Sequence, residues 1–572
     1  MADQTLSRRQ FLKPVAATSS PNPALATVEH LAPSRADLSA ADFPAPEVTL
    51  NGGLNPYQGP WGAAQAAHLL RRVTFGVTKQ QMDQLVALGD AQTAVDAVLT
   101  LPSTAPAPPV NNYNGPDYTD PDVPSGATFV NAQYLNPAEG YRIEAWRGWW
   151  LDLMLHGEAT IREKMTLFWH NLFATKTPAS FWSRAIYQHN AMLRANALGN
   201  FKTLTKAVTL DPHMLIFLNG VYNNVLAPDE NYARELQELF TVGKDSANTY
   251  TEEDVVAAAR VLTGWRIDIA TASTFFEKIA HDQNDKKFSA FYNNRVIKGG
   301  DDGEQELDEL LDMIFQKSEV ASFICRKIYR FFVYYKIDAR VEAEVIQPLA
   351  QIFRDHQYDI RPVMAALLGS EHFFDATNKG CYIKTPLDMV VGLLRNFNVS
   401  PNSSTLYDQW QIRLYLNYTA GELQMLPGDP PNVAGWQAFR QSPGYYRTWI
   451  NGDTIRNRNV FSDIMCFYYY ETTNDRLNIS HIAFAEQFEH PEDPVQLVDA
   501  LVRILVPVDL PPLKKWFLKN ILLSGQANDY YWTQLWSAYQ ADPTNAMTKE
   551  MVNFRLAVLH KYIMNLAEYQ LG

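Results

Sequence analysis

The sequence predicts a mainly α-helical protein: a large multi-helix globular body with long irregular loops and room for one small β-hairpin. Hydrophobic residues make up 47% and charged residues 19% of the 572 positions, which is enough apolar surface for a folded core and excludes a disordered or fibrous chain. Apolar residues also recur three and four positions apart through most of the chain after residue 59, and this spacing is typical of helices packed on a core.

The N-terminus carries a predicted export signal. Residues 7–13 match the twin-arginine signal at every defined position, with the arginine pair at Arg8 and Arg9. Residues 24–26 have the small-x-small form of a cleavage site, although the stretch before them is only weakly apolar, so a basic disordered terminus is the alternative. We therefore predict a signal segment over 1–26, export by the twin-arginine route to the periplasm or the exterior, and a disordered or arm-like tail over 27–58.

The body is predicted to have two parts and one long inserted loop. Helical spacing predicts a main domain over 59–465 and a C-terminal helical extension over 466–572 packed on it. An inserted loop at 102–137 is rich in proline, aspartate and asparagine, and its prolines forbid a regular helix or a central strand. Loops of this length are uncommon unless they act as lids or binding surfaces or are disordered, and both alternatives stay open here.

Composition excludes several classes of function. The 49 basic and 62 acidic residues give a net charge of −13, which repels phosphate backbones and argues against a nucleic-acid partner. No apolar run reaches the roughly 18 residues of a membrane-spanning helix. The chain also lacks the HExxH, GxSxG, GxxxxGK and GxGxxG patterns, so zincin, serine-hydrolase and nucleotide-binding functions have no local support.

The first candidate site residue is His170. Ile161, Met165, Phe168 and Leu172 form the apolar stripe of a predicted helix, and His170 lies beside that stripe among bulky neighbours. An imidazole in such surroundings is a candidate ligand or base. The alternative is a structural histidine bonded to a backbone carbonyl or a carboxylate.

The second candidate is a carboxylate pair on the predicted helix 231–243. Glu235 and Glu238 stand three positions apart, on one side of the helix together with Asn231. Two neighbouring carboxylates must be hydrated, share a proton, pair with a cation or hold a metal. The alternative is a solvated face on which Arg234 pairs with Glu230 and Glu238.

The third candidate is the dipeptide His281-Asp282. It lies in an irregular stretch, 266–303, where short alternating segments predict a hairpin or ribbon. Loops carry functional residues more often than core segments do, so both side chains are candidates for substrate binding.

Together these segments resemble a bacterial family catalogued as domain of unknown function 1800. The matching stretches run in order along residues 60–465: 66–76, 161–174, 231–243, 250–265, 281–282, 384–386 and 430–436. The resemblance implies an exported protein whose partner is an exported neighbour similar to alkaline phosphatases and sulfatases. Many members have histidine where this chain has Leu172, and some have histidine where it has Phe240, so the resemblance leaves His170, Glu235 and Glu238 as the remaining metal ligands.

Two hypotheses follow. In the first, the chain is an exported enzyme with a centre between helices that takes a divalent metal as its cofactor. His170, Glu235 and Glu238 are then the catalytic residues and metal ligands, and the substrate-binding residues are Asn171, Asn231, Arg234, His281 and Asp282. In the second, it is a non-enzymatic exported binding or scaffold protein for a partner protein or a glycan, because it has 13 Trp, 28 Tyr and 29 Phe and a long loop at 102–137.

Overall fold

The computed structural model describes residues 53–244, 249–401 and 403–572. The predicted fold class is confirmed: the described chain is mainly α-helical, with three two-stranded antiparallel hairpins and no larger sheet among the described residues. None of its helices combines the length and the apolar character needed to cross a membrane. The predicted signal, 1–26, lies outside the described residues, and so do positions 27–52 of the predicted tail, 27–58.

The helices are given in chain order. The α-helices are α1 Ala63–Val73, α2 Lys79–Val86, α3 Ala91–Leu99, α4 Ala138–His156, α5 Arg162–Leu172, α6 Thr177–Ser180, α7 Ser183–Ala195, α8 Phe201–Thr209, α9 Pro212–Phe217, α10 Asn231–Glu235, α11 Glu252–Val261, α12 Gly303–Phe315, α13 Ser318–Phe332, α14 Ala339–Val341, α15 Gln347–Asp355, α16 Ile360–Leu368, α17 Glu371–Phe374, α18 Pro386–Asn396, α19 Leu406–Glu422, α20 Gly452–Phe467, α21 His481–Ala485, α22 Pro494–Leu505, α23 Pro512–Leu522, α24 Tyr530–Ala541 and α25 Ala546–Asn565. Two π-helical turns, Leu236–Thr241 and Glu342–Ile346, continue α10 and join α14 to α15.

The strands form local hairpins only. They are β1 Trp265–Asp268, β2 Ser273–Phe276, β3 Lys286–Lys287, β4 Val296–Ile297, β5 Tyr470–Glu471 and β6 Arg476–Leu477, paired in that order. In the first hairpin Trp265 lies opposite Phe276. The irregular stretch 266–303 therefore contributes to two hairpins where one was expected, because two-residue strands are too short to show an alternating pattern.

Most tryptophans lie in the core. Trp146, Trp150, Trp169 and Trp532 are among the largest fully buried side chains, and α4 packs along α19 and α18. This distribution removes most of the aromatic residues from consideration as exposed binding anchors.

Buried arginines hold the ends of helices. Arg71 in α1 donates to the carbonyls of Arg503, Ile504 and Val506 at the end of α22. Arg395 in α18 likewise donates to carbonyls at the end of α4. Cations at helix C-termini satisfy carbonyls that have no partner within the helix and complement its dipole. Residues 466–572 are thereby tied to the first helix of the body.

The loop at 102–137 is packed against α4. Asp120 is buried and accepts hydrogen bonds from the Nε of Arg142 at 2.9 Å and from the hydroxyl of Tyr113 at 2.8 Å. Arg142 also donates to Glu139 at 3.0 Å and to the carbonyl of Gln133 at 2.7 Å. A buried ion pair with further hydrogen bonds therefore anchors the loop at its centre.

Candidate functional site

Three histidines come together between α5, α7 and α9. His170 is 3% exposed, and His189 and His213 are each 2% exposed. The ring centres of His170 and His189 lie 6.3 Å apart, and those of His189 and His213 lie 5.6 Å apart. These imidazoles form the histidine cluster.

A buried ion pair positions two of the helices. Glu163 in α5 accepts hydrogen bonds from Arg194 in α7, at 2.8 and 3.0 Å, and from the indole nitrogen of Trp150 in α4 at 3.1 Å. The ring of Trp150 in turn meets His170 edge-on, with the ring centres 5.5 Å apart. The α5 backbone is thus held between α4 and α7 with His170 facing α7.

Asp211 positions the other two histidines. It caps α9 by accepting a hydrogen bond from the backbone N–H of Met214 at 2.8 Å, and this cap places His213 in the first turn. The same carboxylate oxygen lies 3.0 Å from Nδ1 of His189. Because a carboxylate only accepts, Nδ1 of His189 carries a proton, and in the neutral form of this ring Nε2 carries the lone pair.

Several polar atoms of the site lack a partner. Among the described residues, nothing forms a hydrogen bond with the buried Nε2 atoms of His170 and His189, with either amide atom of Asn190, or with the indole nitrogen of Trp436. Buried polar atoms without partners are costly and are normally satisfied by water or a ligand. Such atoms occur elsewhere in the core too, and the feature particular to this place is that two of them are imidazole nitrogens on the packed helices α5 and α7.

Burial lowers the pKa values of two histidines of the cluster, His170 and His213. Burial, reinforced by the neighbouring His189, lowers the pKa of His170 to about 3. Burial and the other two imidazoles hold the pKa of His213 well below its usual value. At neutral pH these rings therefore present lone pairs rather than charges. Nδ1 of His213 is hydrogen-bonded to the hydroxyl of Ser180 at 2.9 Å, so a partly buried alcohol adjoins the cluster.

A cover loop, residues 427–436, closes the cluster. Trp436 meets His170 with the ring centres 5.8 Å apart, and its backbone N–H donates to Oδ1 of Asn171 at 2.9 Å. Gly435 has a φ of +77°, and a Cβ there would collide with Asn171. At the other end Asp429 accepts from Thr177. Asn171, predicted to bind substrate, therefore holds the cover loop.

The predicted carboxylates lie elsewhere. The segments of His170 and Glu235 are neighbours, since Phe173 and Phe240 meet with ring centres 5.2 Å apart. The ring of His170 contacts Trp150, His189 and Trp436 rather than Glu235 or Glu238, and neither carboxylate shifts the pKa of His170. Glu238 pairs instead with Lys244 at 2.7 Å. In the described part of the chain, no group of three or more His, Cys, Asp or Glu residues could hold a metal ion. His170, Glu235 and Glu238 are therefore not arranged as a metal site.

The helix face around Arg234 is a solvated ion-pair surface. Arg234 pairs with Glu230 at 3.0 Å, as the alternative interpretation expected, but its second partner is Glu252 at 2.7 Å. Asn231 is exposed. Glu235 is half-buried, and burial together with the charge of Glu238 raises its pKa.

His281 and Asp282 are buried beside the first two hairpins. Nδ1 of His281 donates to the carbonyl of Thr263 at 2.9 Å, and its Nε2 lies 3.2 Å from Glu306. Asp282 pairs with Arg260 at 2.6 Å, which with further hydrogen bonds lowers its pKa to about 2. The contacts of both residues join the hairpins to α11 and α12, and none of them reaches the histidine cluster.

The sequence interpretation missed His189, Asp211 and His213. Their separations match no metal or catalytic motif. Two signals were nevertheless present: the dipeptide His-Asn occurs at 170–171 and again at 189–190, and Asp211-Pro212 is a helix start that places the next histidine in a first turn.

Comparison with known proteins identifies one family. The family model described as "Protein of unknown function (DUF1800)" matches residues 68–571, a range that includes the C-terminal helices. The comparisons with curated proteins and with solved structures gave no match.

Proposed function

Since the chain belongs to the DUF1800 family of proteins of unknown function, we propose its function from the histidine cluster: an exported enzyme that performs acid–base chemistry. One observation carries this proposal. Asp211 orients His189 and leaves its Nε2 buried and unpartnered, in a ring whose centre lies 6.3 Å from that of His170, whose Nε2 is unpartnered as well. A carboxylate behind a histidine whose other nitrogen is free is the arrangement of a general base.

In the proposed reaction step, Nε2 of His189 takes a proton from a bound hydroxyl group or water molecule. Asp211 stabilises the imidazolium that forms, because its charge lies 3.0 Å from Nδ1. His170 remains neutral and offers a second acceptor across the site. The cover loop excludes water while Trp436 lies over His170.

The donor set does not fit the predicted divalent metal. A catalytic zinc site normally uses three protein ligands. Here Nδ1 of His213 is bonded to Ser180 and Nδ1 of His189 to Asp211, and in the described part of the chain no group of three or more His, Cys, Asp or Glu residues could hold a metal ion. We therefore derive no reaction step through a metal.

Export by the twin-arginine route, to the periplasm or the exterior, remains part of the proposal. Its support is the match at residues 7–13. Replacing Arg8 and Arg9 by lysine should retain the protein in the cytoplasm, and immunoblots of cell fractions measure this. The proposed phosphatase- or sulfatase-like partner should co-purify with the exported form. Export of the double variant at the wild-type level would contradict the route.

A glycan-binding role is the second candidate, and one cleft favours it. An open cleft of about 480 Å³ at the first hairpin is lined by Trp265, Phe275 and Phe276 and by Asp301, Asp302 and Glu304. Aromatic rings beside carboxylates suit sugar faces and hydroxyl groups. Glycan-array binding that Phe275→Ala abolishes and His189→Gln leaves intact would favour this role.

The enzyme is tested with a panel of chromogenic esters, phosphate esters, sulfate esters and glycosides. We expect turnover of one class, with kcat about 100-fold lower in His189→Gln and reduced in Asp211→Asn, since general-base catalysis contributes about 100- to 10,000-fold. His356→Gln, at an exposed histidine, is the matched control. Turnover unchanged in His189→Gln, or no turnover of any class, would count against the proposal.

A further inference from the structure

A serine is hydrogen-bonded to a histidine at the edge of the histidine cluster, between α6 and α9. The hydroxyl of Ser180, the last residue of α6, lies 2.9 Å from Nδ1 of His213. A serine and an imidazole at hydrogen-bond distance are the two groups that a nucleophile and its activating base require. The reaction step proposed for His189 leaves this pair without a role.

The two members of the pair differ in exposure. His213 is buried, whereas Ser180 is partly exposed and follows two exposed residues, Pro178 and Ala179. A small molecule in solution can therefore reach the hydroxyl group, while the imidazole behind it is shielded from water. Burial holds the pKa of His213 well below its usual value, so at neutral pH this ring is neutral and one of its nitrogens carries a lone pair.

The segment that carries Ser180 is fixed at both ends. Thr177, at the start of α6, donates from its backbone N–H and its hydroxyl to the cover loop. Beyond the helix, the backbone N–H of Ser183 donates to the buried Glu139 at 2.6 Å. Between these two bonds Phe181 has a φ of +46°, in the left-handed region that a bulky residue rarely adopts. Such backbone strain concentrates at active sites, where the surrounding structure maintains it.

The paired charges beside the site favour a neutral substrate. Arg147 donates to the hydroxyl of Thr177 and pairs with Asp429 at 2.6 Å, and Arg194 pairs with Glu163 at 2.8 Å. The charges of both guanidinium groups are therefore compensated within the chain. Enzymes that transfer phosphoryl groups hold them with cationic side chains or metal ions. A carboxylic ester, which carries no such charge, fits these surroundings better.

We propose that Ser180 is the nucleophile of a hydrolase for carboxylic esters and that His213 is the base that activates it. This proposal rests on the acid–base function proposed for the histidine cluster. Nδ1 of His213 takes the hydroxyl proton while Oγ of Ser180 forms a bond to the carbonyl carbon of the ester. The bond from that carbon to the alcohol oxygen then breaks, and the alcohol leaves with the proton held by His213.

His189 serves the second half of the reaction. Its ring centre lies 5.6 Å from that of His213. Nε2 of His189 takes a proton from water, and the resulting hydroxide adds to the acyl carbon. The bond between that carbon and Oγ of Ser180 breaks, Oγ takes the acid proton of the product, and the product leaves as a carboxylate. His189 then releases its own proton to the solvent.

Labelling of the full chain with a fluorophosphonate probe tests the nucleophile. Peptide mapping of the wild type by mass spectrometry should find the adduct on Ser180, because these probes react with activated serines. Ser180→Ala should abolish the adduct, and His213→Gln should lower the labelling rate about 100-fold. Ser183→Ala is the matched control at a neighbouring buried serine and should be labelled like the wild type. Absence of an adduct on Ser180 of the wild type would overturn the proposal without the need for any variant.

Burst kinetics with p-nitrophenyl acetate separate the two halves of the reaction. The wild type should release a burst of one equivalent of p-nitrophenol, and His189→Gln should keep the burst while its steady-state rate falls about 100-fold. Full turnover in Ser180→Ala would overturn the nucleophile; a loss of turnover in His189→Gln would then still support a base that acts directly on water. An adduct on Ser180 with an unchanged steady-state rate in His189→Gln would instead overturn the function proposed for His189 and support Ser180 as the nucleophile.

Discussion

Replacing Asp120 by alanine should release the long loop at 102–137. The substitution leaves Arg142 and Tyr113 without their buried carboxylate partner, and breaking a buried pair costs about 3–5 kcal/mol. Arg142 keeps Glu139 and a backbone carbonyl, so the lower figure, about 3 kcal/mol, applies. This corresponds to an increase of about 150-fold in the population of the open loop.

Limited proteolysis with chymotrypsin, read by mass spectrometry, measures that population. Cleavage after Tyr113 or Tyr118 requires the loop to open, and its rate follows the open fraction when closing is faster than cleavage. Asp117→Ala, at an exposed position of the same loop, is the control and should change the rate little. A rate in Asp120→Ala within threefold of this control would refute the reasoning, because the ion pair would then not be the anchor.

Three further predictions concern the cover loop and the titrating groups. Gly435→Ala should destabilise the cover loop by about 1–3 kcal/mol, because it strains a positive φ and collides with Asn171; increased hydrogen exchange confined to 427–436 would show this, and unchanged exchange would contradict it. Glu235→Gln should raise the free energy of unfolding more at pH 7 than at pH 4, as measured by urea unfolding. Because the pKa of Glu235 is higher in the folded protein than in the unfolded chain, its carboxyl group costs stability as pH rises from the unfolded pKa through the folded pKa. An equal effect of the substitution at pH 7 and pH 4 would contradict this reasoning. The free energy of unfolding should also fall as pH drops below 6.5, because histidines that are buried in their neutral form take up protons more readily in the unfolded chain. The fall should reach up to about 1.4 kcal/mol per pH unit for each such histidine, among them His170, His213, His481 and His560. A urea midpoint that stays constant between pH 7 and pH 4.5 would show that these histidines are not buried in their neutral form.

Some elements of the fold are encoded by local signals in the sequence. Thr251 and Asp254 form a capping box at the start of α11, and Gly264, which has a positive φ, follows the end of that helix. Such signals act within a few residues, so they can be read from the chain directly. The π-helical turn after Glu235 carries no such local signal, and its residues Phe240 and Gln237 contact Phe173 and Tyr292, which are distant in the sequence.

The candidate site could be predicted only in part. His170 was selected for its aromatic surroundings, whereas Glu235 and Glu238 were selected because they share one side of a helix. A helical face fixes which residues are neighbours but does not fix whether they point toward the core or the solvent. His189 and His213 come from other helices, and their contact with His170 depends on tertiary packing that no spacing in the sequence encodes.

The bonds from Arg71 to the carbonyls at the end of α22 have a consequence for biosynthesis. Arg71 in α1 meets these carbonyls only after more than four hundred further residues have been translated. Until α22 has been synthesised, the guanidinium group of Arg71 lacks its carbonyl partners. Chains truncated before α22 should therefore depend on chaperones rather than form a smaller folded unit.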